Sequence, residues 1–295
     1  MSQDQPPKPY PEDWPQPKPY IGVTGFNSAF QIKQIAEHVD SYPIGYVMFG
    51  ITSSNKRLLD PDSRGKTSPA LVDIPSLRQF IPQHHLPMIH YYTSNLSTLV
   101  DEVVALWGYC ELEDVGLQLN VDASPKQIAA LLEALNFTCS PNFNNGVLPI
   151  TLQVSRKTLA GMSNADIIKG LRRYEGLLSY ALIDPSGGEG RDVDLHRASE
   201  LLIAGQDLEF LLGIAGGFSD ENVEERVKKL RQSAICESCH QDLPRSFCID
   251  AQGKLADIDM TAPVYPPDGP SIIKSHLNLS RTKTYIDRAI TALYS

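Results

Sequence analysis

The chain has 295 residues, 42% of them hydrophobic and 21% charged, enough apolar material to bury a full core, which excludes a fibrous or wholly disordered class. A formal net charge of -9, with Lys and Arg scattered rather than gathered into a stripe, opposes phosphate backbones and makes nucleic acid an unexpected partner. No apolar run approaches the roughly 20 residues that cross a bilayer, so no membrane partner is expected.

Met1 to Lys18 is rich in Pro, Gln and Asp and lacks an apolar stretch. It reads as a disordered or polyproline-II lead (residues 1-18) rather than a signal peptide, and a cytoplasmic location is expected. Residues 19-295 then show one alternation, short β-branched runs each followed by a segment of helical spacing. The first strand spans Tyr20 to Thr24 and its helix Phe30 to Val39 after Asn27-Ser28. The second strand spans Ile44 to Gly50, followed by a long polar loop with Lys56, Arg57 and Asp60 and a helix over Pro69 to Ile81.

Pro87 to Tyr91 and Leu96 to Trp107 form the third pair. Val115 to Leu119 and the helix to Leu135 form the fourth, with Ser124-Pro125 a good start signal. Leu148 to Val154 is followed by Asn164 to Tyr174, and Leu178 to Asp184 by Leu195 to Ala204. Phe210 to Ala215 precedes a helix opened by Ser219, and Phe247 to Ala251 precedes Leu277 to Leu293. Strands separated by helices run parallel, and eight such units can close into an α/β fold, the (β/α)8 TIM barrel. The rival is an open doubly wound sheet, but Gly22-Val23-Thr24-Gly25 is not the G-x-G-x-x-G turn that such sheets carry, and no cofactor is expected.

In a barrel of this type the active face is built from the loops that leave the C-terminal strand ends, and phosphate is commonly held after strands seven and eight. Gly216-Gly217 leads from strand seven into a helix, so its backbone can approach an anion; a tight turn without ligand is the alternative. Asp184 ends strand six beside the glycine-rich run to Gly190, where a carboxylate can act as general acid or base or can merely cap the turn. Cys236-Glu237-Ser238-Cys239-His240 matches C-x-x-C-H, yet it falls between helix seven and strand eight and lacks a second ligand pair. Free thiols are favoured there over a metal or redox clip or haem, and no metal site is expected. His84-His85, at the opposite end from the active face, reads as a solvated pair.

The strings YIGVTGF, SSNKR, GLQLN, LIDPSGGEGRDVD and GIAGGFSDENV, in this order, resemble phosphoribosylanthranilate isomerase, a (β/α)8 barrel of tryptophan biosynthesis that carries out an Amadori rearrangement. The resemblance runs from about Tyr20 to Asp250 and is strongest over Leu182 to Val223. It implies that Asp184 is the acid that protonates the ribosyl ring oxygen, that Arg57 faces a carboxylate, and that Gly216 and Gly217 hold a phosphate. It also implies two departures. Ile21 stands where the family's proton-removing cysteine is expected from a Cys-Gly-x-Thr run, and Ala251-Gln252-Gly253 replaces a Ser-Ser-Gly turn, keeping only Gly253.

Thr24, His90, Gln118, Gln153 and Asp250 are placed where side chains can face the pocket. His90 is the best titratable substitute for the base, since an ordinary pKa near 6.5 suits proton abstraction, although a structural histidine is the commoner outcome. The expected ligand is a phosphorylated or otherwise anionic small molecule. Two functions stand open: an isomerase whose cysteine base is replaced, and a non-catalytic metabolite-binding or regulatory barrel.

Overall fold

The computed structural model describes residues 17–42, 46–62, 68–112, 114–136, 148–184, 192–233, 247–259 and 274–294. Eight parallel strands close into a barrel in sequential order: β1 (Ile21–Thr24), β2 (Val47–Ser54), β3 (Leu86–Tyr92), β4 (Gly116–Leu119), β5 (Ile150–Ser155), β6 (Tyr180–Asp184), β7 (Leu211–Ala215) and β8 (Cys248–Ala251). The seam between first and last strands pairs Ile21 with Ile249, Gly22 with Asp250 and Val23 with Ala251. Closure leaves no sheet edge to pair with another chain.

The helices that wrap the barrel are α1 (Ala29–Val39), α2 (Asn55–Leu59), α3 (Ile74–Arg78), α4 (Leu99–Cys110), α5 (Pro125–Asn136), α6 (Arg156–Leu159), α7 (Asn164–Leu171), α8 (Leu195–Ala204) and α9 (Val223–Ser233). A hairpin of β9 (Ala256–Asp259) and β10 (Lys274–Leu277) precedes the last helix, α10 (Leu279–Tyr294). Starts follow local chemistry. Ser124 and Gln127 form a reciprocal cap on α5, each side chain taking the other's backbone N–H. Asp194 accepts from the Arg197 amide at the head of α8, and Asn278 from the Arg281 amide at the head of α10.

Successive strand residues point to opposite faces, and here both faces are buried. One set, including Ile21, Val23, Ile89, Leu117, Ile183 and Ile249, packs against the helices in the principal core. The other set faces the barrel axis. Near the strand starts it is apolar, with Tyr20, Met48, Met88, Tyr180 and Cys248 in one cluster; near the strand ends it turns polar. That gradient along the axis places buried polar groups at a single end.

The alternation expected from the sequence is present throughout, with four local differences. The helix expected over Pro69 to Ile81 is a single 3-10 turn, Leu71–Asp73, and the five-residue α3, because Pro75 permits a helix start while Pro82 follows the end. The polar loop around Arg57 contains α2 instead. The helix after β7 begins at Val223 rather than at Ser219, which lies in the preceding turn. The hairpin after β8 was not anticipated, and the Cys236-to-His240 motif and most of the proline-rich lead lie outside the described residues.

Candidate functional site

The polar end of the barrel opens into a cavity of about 310 Å3. Its walls come from the ends of strands three to eight: His90 and Tyr92, Gln118 and Asn120, Gln153 and Ser155, Asp184, Gly216 and Gly217, and Asp250 with Gly253 and Lys254. Of the expected site residues, Asp184, Gly216, Gly217, Gly253, His90, Gln118 and Asp250 are thus brought together. Thr24 joins them by hydrogen bonding, its hydroxyl donating to Asp250 at 3.1 Å and lying 3.4 Å from either ring nitrogen of His90. Arg57 does not join. It sits half-buried on α2 after β2 and is not among the residues that line the cavity.

Small residues make room for the polar groups. A Cβ on Gly22 would stand 2.6 Å from Asp250 Oδ1, and one on Gly50 would stand 2.5 Å from Thr24 Oγ1 and 2.8 Å from His90 Nε2. Neither distance is tolerated, so the glycines of β1 and β2 are the space into which the side chains of β3 and β8 reach. This geometry also fixes the direction of the first strand. Gly22 and Thr24 face the axis, and Ile21 therefore faces the helices, buried in the outer core. The position of β1 that addresses the cavity is Thr24, followed by Gly25. Ile21 is not in a position to substitute for a pocket residue of any kind.

Burial sets the protonation of the two titratable groups beside Thr24. Burial away from water disfavours the imidazolium of His90, and its pKa is lowered to about 3. It is therefore neutral at physiological pH and too weakly basic to serve as the proton acceptor expected of it. Asp250 is pushed the other way, up to about 7, chiefly by burial and further by the negative charge of Asp184, with the Thr24 hydroxyl opposing. Asp250 is the group that titrates near neutrality in this cavity.

On the opposite wall, side-chain amides form a chain. Gln118 Nε2 donates to Asn120 Oδ1 at 3.1 Å and to Gln153 Oε1 at 3.2 Å, and Gln153 Nε2 donates to Asp184 Oδ2 at 2.6 Å. At the mouth, Gly216 and Gly217 have φ of +105 and +70, conformations that side chains resist. Asn222 braces this turn, taking the Ser219 amide on Oδ1 and giving its Nδ2 proton to the Gly217 carbonyl. Facing it after β8 lies Lys254, among the described residues the one lining residue with a fixed positive charge. Gln153 lines the cavity as expected, whereas Lys254 and Asn120 escaped sequence reading as lining residues, because a lysine beside a glycine turn or an amide after a strand carries no distinctive spacing. Among the described residues, no group of three or more His, Cys, Asp or Glu is placed to hold a metal, and no helix is long and apolar enough to cross a membrane.

No protein-family model and no curated protein matches the sequence. Solved structures match the fold. Phosphoribosyl anthranilate isomerase from Thermus thermophilus superposes with a TM-score of 0.57 at 15% identity over 92% of this chain and 98% of that one. The same enzyme from Thermotoga maritima gives 0.57 at 14% identity over 92% and 98%. TrpF from Jonesia denitrificans gives 0.55 at 13% over 93% and 98%. At such identities the likeness is one of fold: the chain is a (β/α)8 barrel of the kind that these isomerases share.

Proposed function

We propose that the cavity binds a small phosphorylated sugar derivative and catalyses an aldose-to-ketose rearrangement of the type carried out by phosphoribosylanthranilate isomerase. The observation that carries this reading is the pair of carboxylates, Asp184 on β6 and Asp250 on β8, in one cavity whose mouth holds a glycine turn and a lysine. The phosphate would lie between the Gly216-Gly217 turn and Lys254, with Gly253 leaving the approach open. A Cβ at Gly253 would meet nothing within 4 Å.

The rearrangement needs one proton given and one taken. Asp184, in the role that the resemblance implies, protonates the ribosyl ring oxygen; the C1–O bond breaks and the nitrogen lone pair forms the C1=N bond. Asp250 then removes the C2 proton, the C2–H electrons form C1=C2 as the C1=N pair returns to nitrogen, and the resulting neutral enol-amine tautomerises to the ketone. A base with a pKa near 7 is better matched to this task at neutral pH than an ordinary carboxylate or than His90. Arg57, outside the cavity wall, has no part in this reading.

The test is turnover of N-(5-phosphoribosyl)anthranilate followed by its fluorescence. Wild type converts it, and Asp184→Asn and Asp250→Asn each lower kcat by about 10² to 10⁴. One feature favours the non-catalytic alternative: the cavity-facing position of β1 is Thr24, which does not ionise and whose hydroxyl is engaged with Asp250. Phosphate binding without turnover in the wild type would establish that alternative instead.

A further inference from the structure

Gln118 is 1% exposed and lines the cavity, yet its carbonyl oxygen has no hydrogen-bond partner among the described residues. Its amide nitrogen is fully occupied, giving one proton to Asn120 and the other to Gln153. The direction of the chain is not arbitrary. Asp184 Oδ2 accepts from Gln153 Nε2, as it can whether or not Oδ1 carries the proton that Asp184 gives, and this turns the Gln153 oxygen toward Gln118. Gln118 must then present its nitrogen to Gln153, and its oxygen is the end left over. Asp184 thus fixes, through two amides, which atom of Gln118 is unsatisfied.

A buried acceptor without a donor is unfavourable, and it is relieved only by a group that brings an N–H or O–H. From this arrangement we infer that Gln118 Oε1 is a recognition site for a hydrogen-bond donor of the ligand, a sugar hydroxyl or a secondary amine, at the end of the cavity away from Lys254. The inference rests on the proposed sugar-phosphate reading and sharpens it. The cavity has a polarity, an anion at the β7 and β8 turns and a donor at β4, and it rejects a ligand that turns a phosphate or carboxylate oxygen toward Gln118, where two acceptors would meet. Gln118 and Gln153 are positioning and recognition residues; neither moves a proton in the reaction.

The experiment is calorimetric titration of the full chain with inorganic phosphate, ribose 5-phosphate and cyclopentylmethyl phosphate, the last having a five-membered ring and a phosphate but no hydroxyl. Wild type should bind ribose 5-phosphate at least about tenfold more tightly than cyclopentylmethyl phosphate, the value of a well-made hydrogen bond. Gln118→Met should cut that preference at least about threefold, the share of one hydrogen bond, while leaving the affinity for inorganic phosphate within about twofold, since the phosphate contacts are elsewhere. Equal affinities for the two ring phosphates in wild type would overturn the inference while leaving phosphate binding intact, and this result needs no variant to fold. A Gln118→Met protein that folds and keeps the preference would overturn it too. Failure of wild type to bind any of the three would instead reject the sugar-phosphate reading, and the inference with it.

Discussion

In the proposed reaction Asp250 is the proton acceptor, and its environment makes two predictions of pH dependence. As the proton acceptor it must be ionised, so the acid limb of kcat/KM should rise with pH through about 7. Stability should move in the opposite sense. The folded-state pKa lies above the ordinary value of 3.8, so the contribution of Asp250 to stability is complete below about pH 4 and is lost as pH rises through 7. At roughly 1.4 kcal/mol per tenfold change in proton affinity, that loss amounts to a few kcal/mol. Asp250→Asn, which cannot ionise, should therefore gain in melting temperature over wild type as pH is raised from 4 to 8; a difference that stays flat across that range would contradict a buried, protonatable Asp250. Lys254→Met should weaken phosphate binding about three- to thirtyfold and flatten its salt dependence, because the charge removed is exposed and screened. An unchanged affinity would take Lys254 out of the site.

At the scale of elements, the turn between β7 and α9 is the part where conformation and function are most closely tied. Gly216 and Gly217 hold positive φ, and Asn222 bonds the turn at both ends. Gly217→Ala should cost about 1–2 kcal/mol in stability through the Cβ clash alone, and should weaken phosphate binding if the turn shifts. A loss of stability with phosphate affinity unaltered would leave the glycines a purely conformational role.

Much of this level was legible in the sequence. Asp194 and Ser124 cap the helices that they precede, and the span Leu195 to Ala204 coincides with α8, because a cap, an apolar stripe and a following glycine agree with one another. The segment before β3 was legible only in part. Residues 69 to 81 have helical spacing, but prolines at both ends and tertiary packing of Leu71, Ile74 and Leu77 hold them in two short pieces. Strand direction was the harder matter. From the string Ile21-Gly22-Val23-Thr24 alone either alternate set can face the axis, so both Thr24 and, by the resemblance, Ile21 are candidates for the pocket although the two lie on opposite faces of the strand. Only the pairing of Gly22 with Asp250 across the seam resolves it.

The whole molecule is a barrel whose axis runs from an apolar floor to a polar mouth, and every member of the site depends on closure. Thr24 and Asp250 meet because the first and last strands pair, and Asp184 reaches Gln153 because β5 and β6 are neighbours. Such long-range juxtapositions, 226 residues apart for Thr24 and Asp250, carry no local signal, which is why His90 rather than Asp250 stood out as the base when only its ordinary pKa was in view. Gly22→Ala should disturb the seam and the site together. By driving a methyl group to 2.6 Å from Asp250 Oδ1 it should displace the carboxylate, cost about 1–3 kcal/mol, and reduce turnover with little effect on phosphate affinity.

The most direct measurement is a crystal structure of the protein soaked with ribose 5-phosphate. The account predicts phosphate density between the Gly216-Gly217 turn and Lys254, with the sugar directed inward between Asp184 and Asp250 and a hydroxyl at Gln118 Oε1. Phosphate bound outside this cavity, or a sugar that lies away from both carboxylates, would contradict it.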